Sequence, residues 1–268
     1  MAEALQPPID VRLMNMAATA LFLCCGALVL AAGVWWALRY PGFAIGRIVV
    51  EGDLAHTNAI TLRANVAPKL DSNFFTVDLA RTRDAFQAVP WVRRALVRRE
   101  FPRTLRVALQ EHEAVAYWGD DDDSTLLNRQ GEVFEANVDE VGDAALPRLR
   151  GPEGQSAEVL QMFHTLAPAF APLGLDVEDL SLSPRGSWRA RLDGGAAIEL
   201  GSGAPAEVLA RVRRFAGTLT QVAARYGRRP DALESADLRH QDGYALRLQG
   251  VTTVVETHPK PATQQGPR

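Results

Sequence analysis

The chain has 268 residues, of which 47% are hydrophobic, and its 29 Lys and Arg against 32 Asp and Glu give a formal net charge of −3. A chain of this length and apolar content can bury one or two hydrophobic cores, which excludes a wholly disordered protein. The balanced charge argues against a nucleic-acid-binding protein, because such proteins carry strongly basic surfaces.

The first predicted element is a membrane-spanning helix over residues 13–38. This segment contains no charged residue, and at ~1.5 Å per residue it more than covers a hydrocarbon core of ~30 Å. A cleaved signal peptide is the alternative, but its apolar region would be about half as long. Cys24 and Cys25 are the only cysteines and lie in this segment, so the thiol-free remainder suits an oxidising compartment. Charge alone does not set the orientation, since basic residues flank the segment on both sides.

A compact α+β unit is predicted to follow the apolar segment. Its elements in chain order are a strand ending at Gly52, a helix capped by Thr57 or Asn58 and running to about Val66, a helix capped by Asp78 and ending before Pro90, and paired strands over 92–100 and 104–110. The second paired strand alternates, with Leu105, Val107 and Leu109 on one face and Arg106, Ala108 and Gln110 on the other. We expect both helices on one face of this small sheet.

Six arginines crowd residues 90–107 of this unit. Their simplest interpretation is the solvent-facing side of the sheet. The concentration of four of them on one strand could also receive an acidic partner: Arg93, Arg94, Arg98 and Arg99.

A second, β-rich region is predicted from Ala114 onward. Its elements are a strand, a hairpin turning at 128–131, a helix from 156 to about Leu166, three strands, a helix over 205–226, and a hairpin or bulged strand over 234–250 around Asp242 and Gly243. The 205–226 helix carries a core-facing stripe of Val208, Val212, Phe215, Leu219 and Val222. The acidic run 120–123 is interpreted as a solvated loop rather than a calcium site, and residues 256–268 as a disordered tail.

Motifs for catalysis or cofactor binding are weak in this sequence. It contains no phosphate-binding loop, nucleophile elbow or zinc-ligand pair. His112 lies between Glu111 and Glu113, but adjacent residues on a strand point to opposite faces, which favours a surface histidine. Residues 201–203 precede the long helix and could hold an anion, although a turn and helix cap are the simpler interpretation. We therefore expect no cofactor and no metal, and an interaction protein rather than an enzyme.

Four motifs give the chain a resemblance to a known family. The segments "VPWVRRALVRREFPRTLRVALQEHEAVAYW", "LLNRQGEVF", "LPRLRGPEG" and "ADLRHQDGYAL" are similar to the POTRA domain and the later β-rich domain of the FtsQ/DivIB family of bacterial cell-division proteins. They occur in order behind one N-terminal span and cover most of residues 45–250. The resemblance implies a cytoplasmic tail (1–12), a transmembrane helix (13–38), a POTRA domain (43–113), a β domain with flanking helices (114–255) and a disordered tail (256–268).

The resemblance also implies a function and partners. Members are non-enzymatic divisome scaffolds in the cell inner membrane, single-pass type II, with the large domain in the periplasm and enrichment at the division septum. The implied partners are FtsB and FtsL, through them the septal peptidoglycan synthases FtsW and FtsI, and further FtsK, FtsA and FtsN, with no nucleic acid.

Two sets of site residues follow from the same resemblance. The first would bind an FtsB-type segment by strand addition, and comprises Arg239, His240, Asp242, Gly243, Tyr244 and Ala245. The second is a recruitment surface on the POTRA domain, comprising Arg94, Val97 and Arg99. Two positions depart from the family pattern, since His240 stands where the family often has Tyr, and Ser202 where many members have Arg.

Two other functions are alternatives to the scaffold. A polypeptide-transport or outer-membrane assembly accessory also uses POTRA units, but it would carry tandem repeats or a C-terminal barrel, and this chain has neither. A periplasmic enzyme with an unrecognised site would be indicated by a bound metal, or by activity that depends on His112 or His164.

Overall fold

The computed structural model describes residues 9–38, 40–52, 54–66, 68, 73–120, 124–142, 145–240 and 243–251. They form two compact units that divide between His112 and Glu113. The predicted tail 256–268, residues 121–123 of the acidic run, most of the predicted tail 1–12 and Asp242 lie outside the described residues.

The first unit begins with α1, Ile9–Leu38, which extends one turn beyond the apolar segment at its N-terminal end. The helix is long and apolar enough to cross a membrane, and its apolar side chains are not buried by the rest of the chain. Exposed apolar side chains on every face are stable only in a lipid environment. The helix therefore indicates a single-pass membrane anchor.

The POTRA-like part of this unit is a three-stranded sheet with two helices. Its elements are β1 (Arg47–Gly52), α2 (Ala59–Val66), α3 (Leu79–Gln87), β2 (Val92–Glu100) and β3 (Thr104–Glu111). The strand order is β1-β3-β2, with β1 parallel and β2 antiparallel to the central β3. Leu105, Val107 and Leu109 of β3 are buried on one face, as the alternation predicts.

Helix caps fix where the two short helices begin. The Asp78 carboxylate accepts hydrogen bonds from the backbone N–H groups of Ala80 (2.8 Å) and Arg81 (3.1 Å) at the start of α3. The Asn58 side chain accepts a hydrogen bond from the Thr61 N–H (2.8 Å) at the start of α2. Side-chain oxygens at these positions satisfy backbone donors that have no partner within the helix. Asn58, rather than Thr57, is thus the cap of α2.

The second unit is a nine-stranded sheet with two helices. Its elements are β4 (Ala114–Trp118), β5 (Thr125–Asn128), β6 (Val133–Glu135), β7 (Arg148–Arg150), α4 (Ser156–Phe170), β8 (Val177–Leu182), β9 (Ser187–Leu192), β10 (Ala197–Ser202), α5 (Pro205–Arg225), β11 (Leu233–Asp237) and β12 (Ala245–Leu248). The strand order is β12-β11-β10-β9-β8-β7-β4-β5-β6. Helix α4 packs on β7 and β8, and α5 packs on β10 and on α4. One face of the sheet therefore carries the core.

The helices of this unit correct two predictions. Helix α4 continues past the predicted end at Leu166 and through Pro168 to Phe170. Pro168 removes the hydrogen bond to the His164 carbonyl, but His164 is exposed to water and Phe170 is fully buried, so burial of Phe170 outweighs the lost bond. On α5, Ala223 is fully buried in the core stripe, whereas Val222 is only partly buried.

Candidate partner-binding surfaces

Strand β12 lies at one end of the nine-stranded sheet and pairs only with β11 among the described strands. The Gln249 N–H donates to the Ala232 carbonyl (2.9 Å) just beyond the strand. Because backbone amide directions alternate along an extended strand, the Leu246 N–H points away from β11. This end of the sheet offers main-chain groups to a further strand.

Arg239 is held in place by Asp237, the last residue of β11, which pairs with β12. The Arg239 guanidinium donates to Asp237 through Nε (2.9 Å) and a terminal nitrogen (2.6 Å), and its backbone N–H donates to the same carboxylate (3.0 Å). The side-chain hydrogen bond from Arg239 is the main cause that lowers the pKa of Asp237 to about 2. Asp237 is therefore ionised at physiological pH, and it fixes the direction of an exposed arginine.

Tyr244 anchors the chain as it enters β12. Its hydroxyl lies 2.7 Å from the hydroxyl of Thr218 on α5, and its ring packs edge-to-face on Phe215, with centroids 5.0 Å apart. This tyrosine thus positions the edge strand and faces the core. Ala245 is exposed and pairs with Asp237, His240 is exposed, and a side chain at Gly243 would meet no atom within 4 Å.

Arg211 lies near Ser202, the position at which many family members carry Arg. The side chain of Arg211, on α5, donates to the Ser202 carbonyl (2.6 Å). Gly201 has a φ of +81°, and a Cβ there would lie 3.1 Å from Arg239 Cγ and 3.6 Å from an Arg211 terminal nitrogen. The backbone at Gly201 is therefore flanked by two arginine side chains, although Ser202 itself is uncharged.

The sheet face opposite α4 and α5 forms an open concavity of about 840 Å³. At its centre Asp179 of β8 is almost fully buried and accepts hydrogen bonds from Arg150 of β7 and from Arg191 of β9 (3.1 Å). Arg189 and Glu199 pair across β9 and β10 (2.6 Å). Arginine and carboxylate side chains thus alternate across this face, and none of these groups was singled out from the sequence.

On the POTRA sheet, the three predicted recruitment residues have different environments. Arg94 is exposed on β2, an edge strand, and lies on the face away from the helices. Val97 is buried in the core. The Arg99 guanidinium donates to the backbone carbonyls of Phe74 (2.9 Å) and Val77 (2.6 Å). Only Arg94 presents its charged group outward, while Arg99 ties β2 to the segment before α3.

The two histidines that the sequence offers as catalytic candidates belong to different units. The backbone N–H of His112 donates to the Trp91 carbonyl (2.9 Å), and His164 is exposed on α4. Within the part of the chain that the structure describes, no group of three His, Cys, Asp or Glu residues could hold a metal ion.

Comparison with known proteins matches both units. The family model for the FtsQ-type POTRA domain matches residues 43–112, and that for the C-terminal domain of the cell division protein FtsQ/DivIB matches residues 116–239. The cell division protein FtsQ of Burkholderia pseudomallei is 40% identical over 249 residues, covering 92% of this chain and 97% of the relative. FtsQ of Thiomonas arsenitoxydans is 38% identical (91% and 89% covered), and FtsQ of Bordetella pertussis 35% (94% and 96%).

The chain belongs to the FtsQ/DivIB family of bacterial cell-division proteins. This confirms the predicted family and the predicted α+β architecture of an apolar N-terminal helix, a POTRA domain and a β-rich domain with helices. Membership supports a role in the divisome, and the transport accessory is not favoured.

The FtsQ/DivIB family model does not cover all of the predicted site residues. The C-terminal family model ends at Arg239, so β12 and the predicted residues after Arg239 lie beyond it. The buried Asp179 was missed because the sequence gives it no distinguishing spacing: its strand also contains the polar residues Glu178 and Ser181.

Proposed function

We propose that this FtsQ-family protein is a non-enzymatic divisome scaffold whose β12 edge captures an extended segment of FtsB in complex with FtsL. The observation that carries the proposal is the open edge of β12, whose outward backbone groups pair with no described strand. Strand addition obtains affinity from main-chain hydrogen bonds and specificity from alternate side chains. Ala245 and Arg247, both exposed on β12, would contact alternate side chains of the added segment.

Two arginine side chains near Gly201, Arg239 and Arg211, would orient the bound segment. Arg239 keeps 59% of its side chain exposed although it is paired with Asp237, and Arg211 lies close by at Gly201. An acidic side chain of the partner would pair with these arginines and set the register of the added strand. Such exposed pairs contribute to specificity and association rate more than to affinity.

The POTRA domain supplies the second proposed recruitment surface. Edge strand β2 presents Arg94 outward, while Val97 and Arg99 hold the strand against the helices. Val97 and Arg99 would fix the position of β2, and Arg94 on that strand would contact the partner. FtsK, FtsA and FtsN are the further partners that the family resemblance implies for the protein as a whole.

The proposed location follows from the anchor and the composition of the chain. Residues 1–12 would lie in the cytoplasm, residues 13–38 of α1 in the inner membrane, and the POTRA domain and the second unit in the periplasm at the septum. A large domain crosses the membrane regardless of nearby charge, and the absence of cysteine after Cys25 suits an oxidising compartment. Through FtsB and FtsL the protein would link to the synthases FtsW and FtsI.

The test of the β12 proposal compares two substitutions at one residue. Leu246→Pro removes the outward N–H and adds a ring at the open edge, whereas Leu246→Ala removes the side chain and keeps the N–H; proline is tolerated where the N–H faces away from the sheet. Binding of the full-length protein in nanodiscs to the periplasmic segment of the same organism's FtsB, with FtsL present, is measured by calorimetry. We expect Leu246→Pro to weaken binding about tenfold or more and Leu246→Ala to bind nearly as the wild type does.

Circular dichroism would establish that both variants are folded. Equal binding by the two variants would show that β12 is not the docking edge. Absence of wild-type binding with FtsL present would remove the proposed partner itself.

A further inference from the structure

A chain of aromatic rings links the end of α1 to the POTRA domain. Trp36 lies 5.5 Å from Tyr40 between ring centroids, Tyr40 lies 6.3 Å from Phe43, and Phe43 packs edge-to-face on Phe75 at 5.1 Å. Phe75 in turn packs on Phe74 (5.3 Å), which is buried in the domain. The contacts run without interruption from the membrane helix to the domain interior.

Backbone hydrogen bonds keep this junction short. The Tyr40 N–H donates to the Ala37 carbonyl (3.2 Å), and the Phe43 N–H to the Tyr40 carbonyl (3.0 Å). The Phe74 N–H then donates to the Phe43 carbonyl (2.9 Å). Since the helix passes into the domain through hydrogen-bonded turns, the domain begins immediately outside the lipid that surrounds α1.

The tip of the β2–β3 hairpin lies at this same end. The Arg103 carbonyl accepts a hydrogen bond from the Gly46 N–H (2.9 Å), and its guanidinium donates to the Ala44 carbonyl (3.0 Å). The neighbouring Phe101 is 80% exposed and Phe75 is 45% exposed. Exposure of phenylalanine rings to water is unfavourable, so two exposed rings near the membrane helix indicate a surface that another apolar phase or molecule covers.

We define the proximal rim as Tyr40, Phe43, Phe75, Phe101, Arg47 and Arg103. Its rings are partly or largely exposed and its two arginines are exposed. Amphipathic aromatic rings together with basic side chains are typical of the layer where lipid headgroups meet acyl chains. Arginine stems extend along apolar surface while their charged ends reach lipid phosphates. A lipid bilayer surface would accommodate both the aromatic rings and the two arginines.

We propose that the proximal rim is seated in the headgroup layer of the bilayer that α1 spans. The aromatic rings lie at the boundary with the acyl chains, and Arg47 and Arg103 lie among the phosphates. The POTRA domain is then fixed at the membrane surface by two contacts, the helix and the rim. Its partner surfaces are held at set heights above the membrane.

The opposite end of the domain supplies a matched control position. Ile60, near the start of α2, is 81% exposed, almost the same as Phe101. It follows His56 and Thr57, whose N–H groups donate to Glu111 at the far end of β3. Strand β3 spans Thr104–Glu111, a length of about 24 Å at ~3.4 Å per residue. Ile60 thus lies about one strand length from the hairpin tip that carries Phe101.

The test places an environment-sensitive fluorophore at each position in the full-length protein, reconstituted in vesicles whose lipids carry a quencher just below the headgroup or, for Cys25 near the middle of the span, at the end of the acyl chain. Single-cysteine proteins carry Phe101→Cys, Phe75→Cys or Ile60→Cys in a background with Cys24→Ala and Cys25→Ala, and a fourth keeps Cys25 alone. We expect strong quenching at 101 and 75, weak quenching at 60, and quenching at Cys25 inside the span.

The outcomes distinguish failure of the rim proposal from failure of the membrane anchor that it requires. Quenching at Cys25 with none at 101 or 75 would overturn the rim while leaving the anchor intact. No quenching at Cys25 would overturn the anchor and the rim together. Quenching at 101 and 75 that disappears when FtsB and FtsL are added would also overturn the proposal, because the rim would then serve a protein partner. The first two outcomes are measured without FtsB, so they do not depend on whether β12 binds it.

Discussion

Glu111 is a carboxylate, almost fully buried, that joins the end of β3 to the segment before α2. It accepts hydrogen bonds from the backbone N–H groups of His56 (3.0 Å) and Thr57 (2.8 Å), and His56 Nδ1 lies 3.2 Å from it. The His56 ring stacks on Trp91 at 3.9 Å. Burial raises the pKa of Glu111, but the hydrogen bonds from Thr57 and His56 outweigh burial and lower it. The ionised form is therefore the one that holds this end of the domain together.

This arrangement predicts a pH-dependent effect of Glu111→Gln. The two N–H groups donate to different carboxylate oxygens, and in glutamine one of these oxygens is replaced by an NH2 group that cannot accept, so we expect a loss of ~1–3 kcal/mol in unfolding free energy at pH 7. A carboxylate with a lowered folded-state pKa stabilises the protein above its ordinary value of 4.5, and that contribution is lost as the pH falls through the folded value. The difference between variant and wild type should thus shrink below about pH 4.5, as measured by urea denaturation.

Glu113→Gln is the matched control, since Glu113 is close in sequence, is 61% exposed in its side chain and pairs with exposed Arg129. We expect it to change the unfolding free energy by less than ~1 kcal/mol. A constant effect of Glu111→Gln from pH 7 to pH 3 would contradict the role assigned to the carboxylate.

At the scale of elements, Asp179 joins three neighbouring strands of the second unit. Strands β7 and β8 are parallel and β8 and β9 antiparallel, and Arg150 and Arg191 reach Asp179 from the two sides. Only 7% of the Asp179 side chain is exposed. A buried carboxylate is tolerated here because opposite charges on both adjacent strands compensate its desolvation.

Asp179→Ala should therefore be destabilising. The substitution removes the acceptor shared by Arg150 and Arg191, but their side chains are 27% and 51% exposed and can be hydrated, so we expect a loss of ~1–3 kcal/mol in unfolding free energy by chemical denaturation. Glu199→Ala removes the partner of Arg189, which is 64% exposed in its side chain, and should cost less than ~1 kcal/mol. A small effect of Asp179→Ala would mean that water replaces its carboxylate on this sheet face.

At the scale of the whole molecule, each folded unit has its own hydrophobic core. Phe86 on α3 belongs to the core of the first unit, and Phe170 on α4 to that of the second. Both rings are at least 98% buried. Separate cores predict two unfolding transitions rather than one.

Substitutions in the two cores should therefore act separately. We expect Phe86→Ala and Phe170→Ala each to remove ~3–5 kcal/mol from the unit that contains it, measured by scanning calorimetry of the full-length protein in detergent. Each variant should lower the midpoint of one transition and leave the other in place. A single transition lowered by either substitution would show that the units unfold together.

Local sequence determined most elements of this protein and the ends of several. Alternation in 104–110 predicted which residues of β3 are buried, and Asp78 predicted the start of α3. Asn128 predicted a turn, and its buried side chain accepts hydrogen bonds from the N–H groups of Gln130 and Glu132 (both 2.9 Å). These features depend on contacts within a few residues, so their signal is contiguous in the chain.

Only the tertiary structure decided which distant groups meet. The sequence predicted the strands around β12, but its position at the end of the sheet depends on the order in which nine strands pair. Arg150 and Arg191 reach Asp179 from 29 and 12 residues away, and the Phe101 hairpin reaches the end of α1 through Arg103 and Ala44. Such contacts are fixed by strand order and packing, which leave no spacing in the sequence to read.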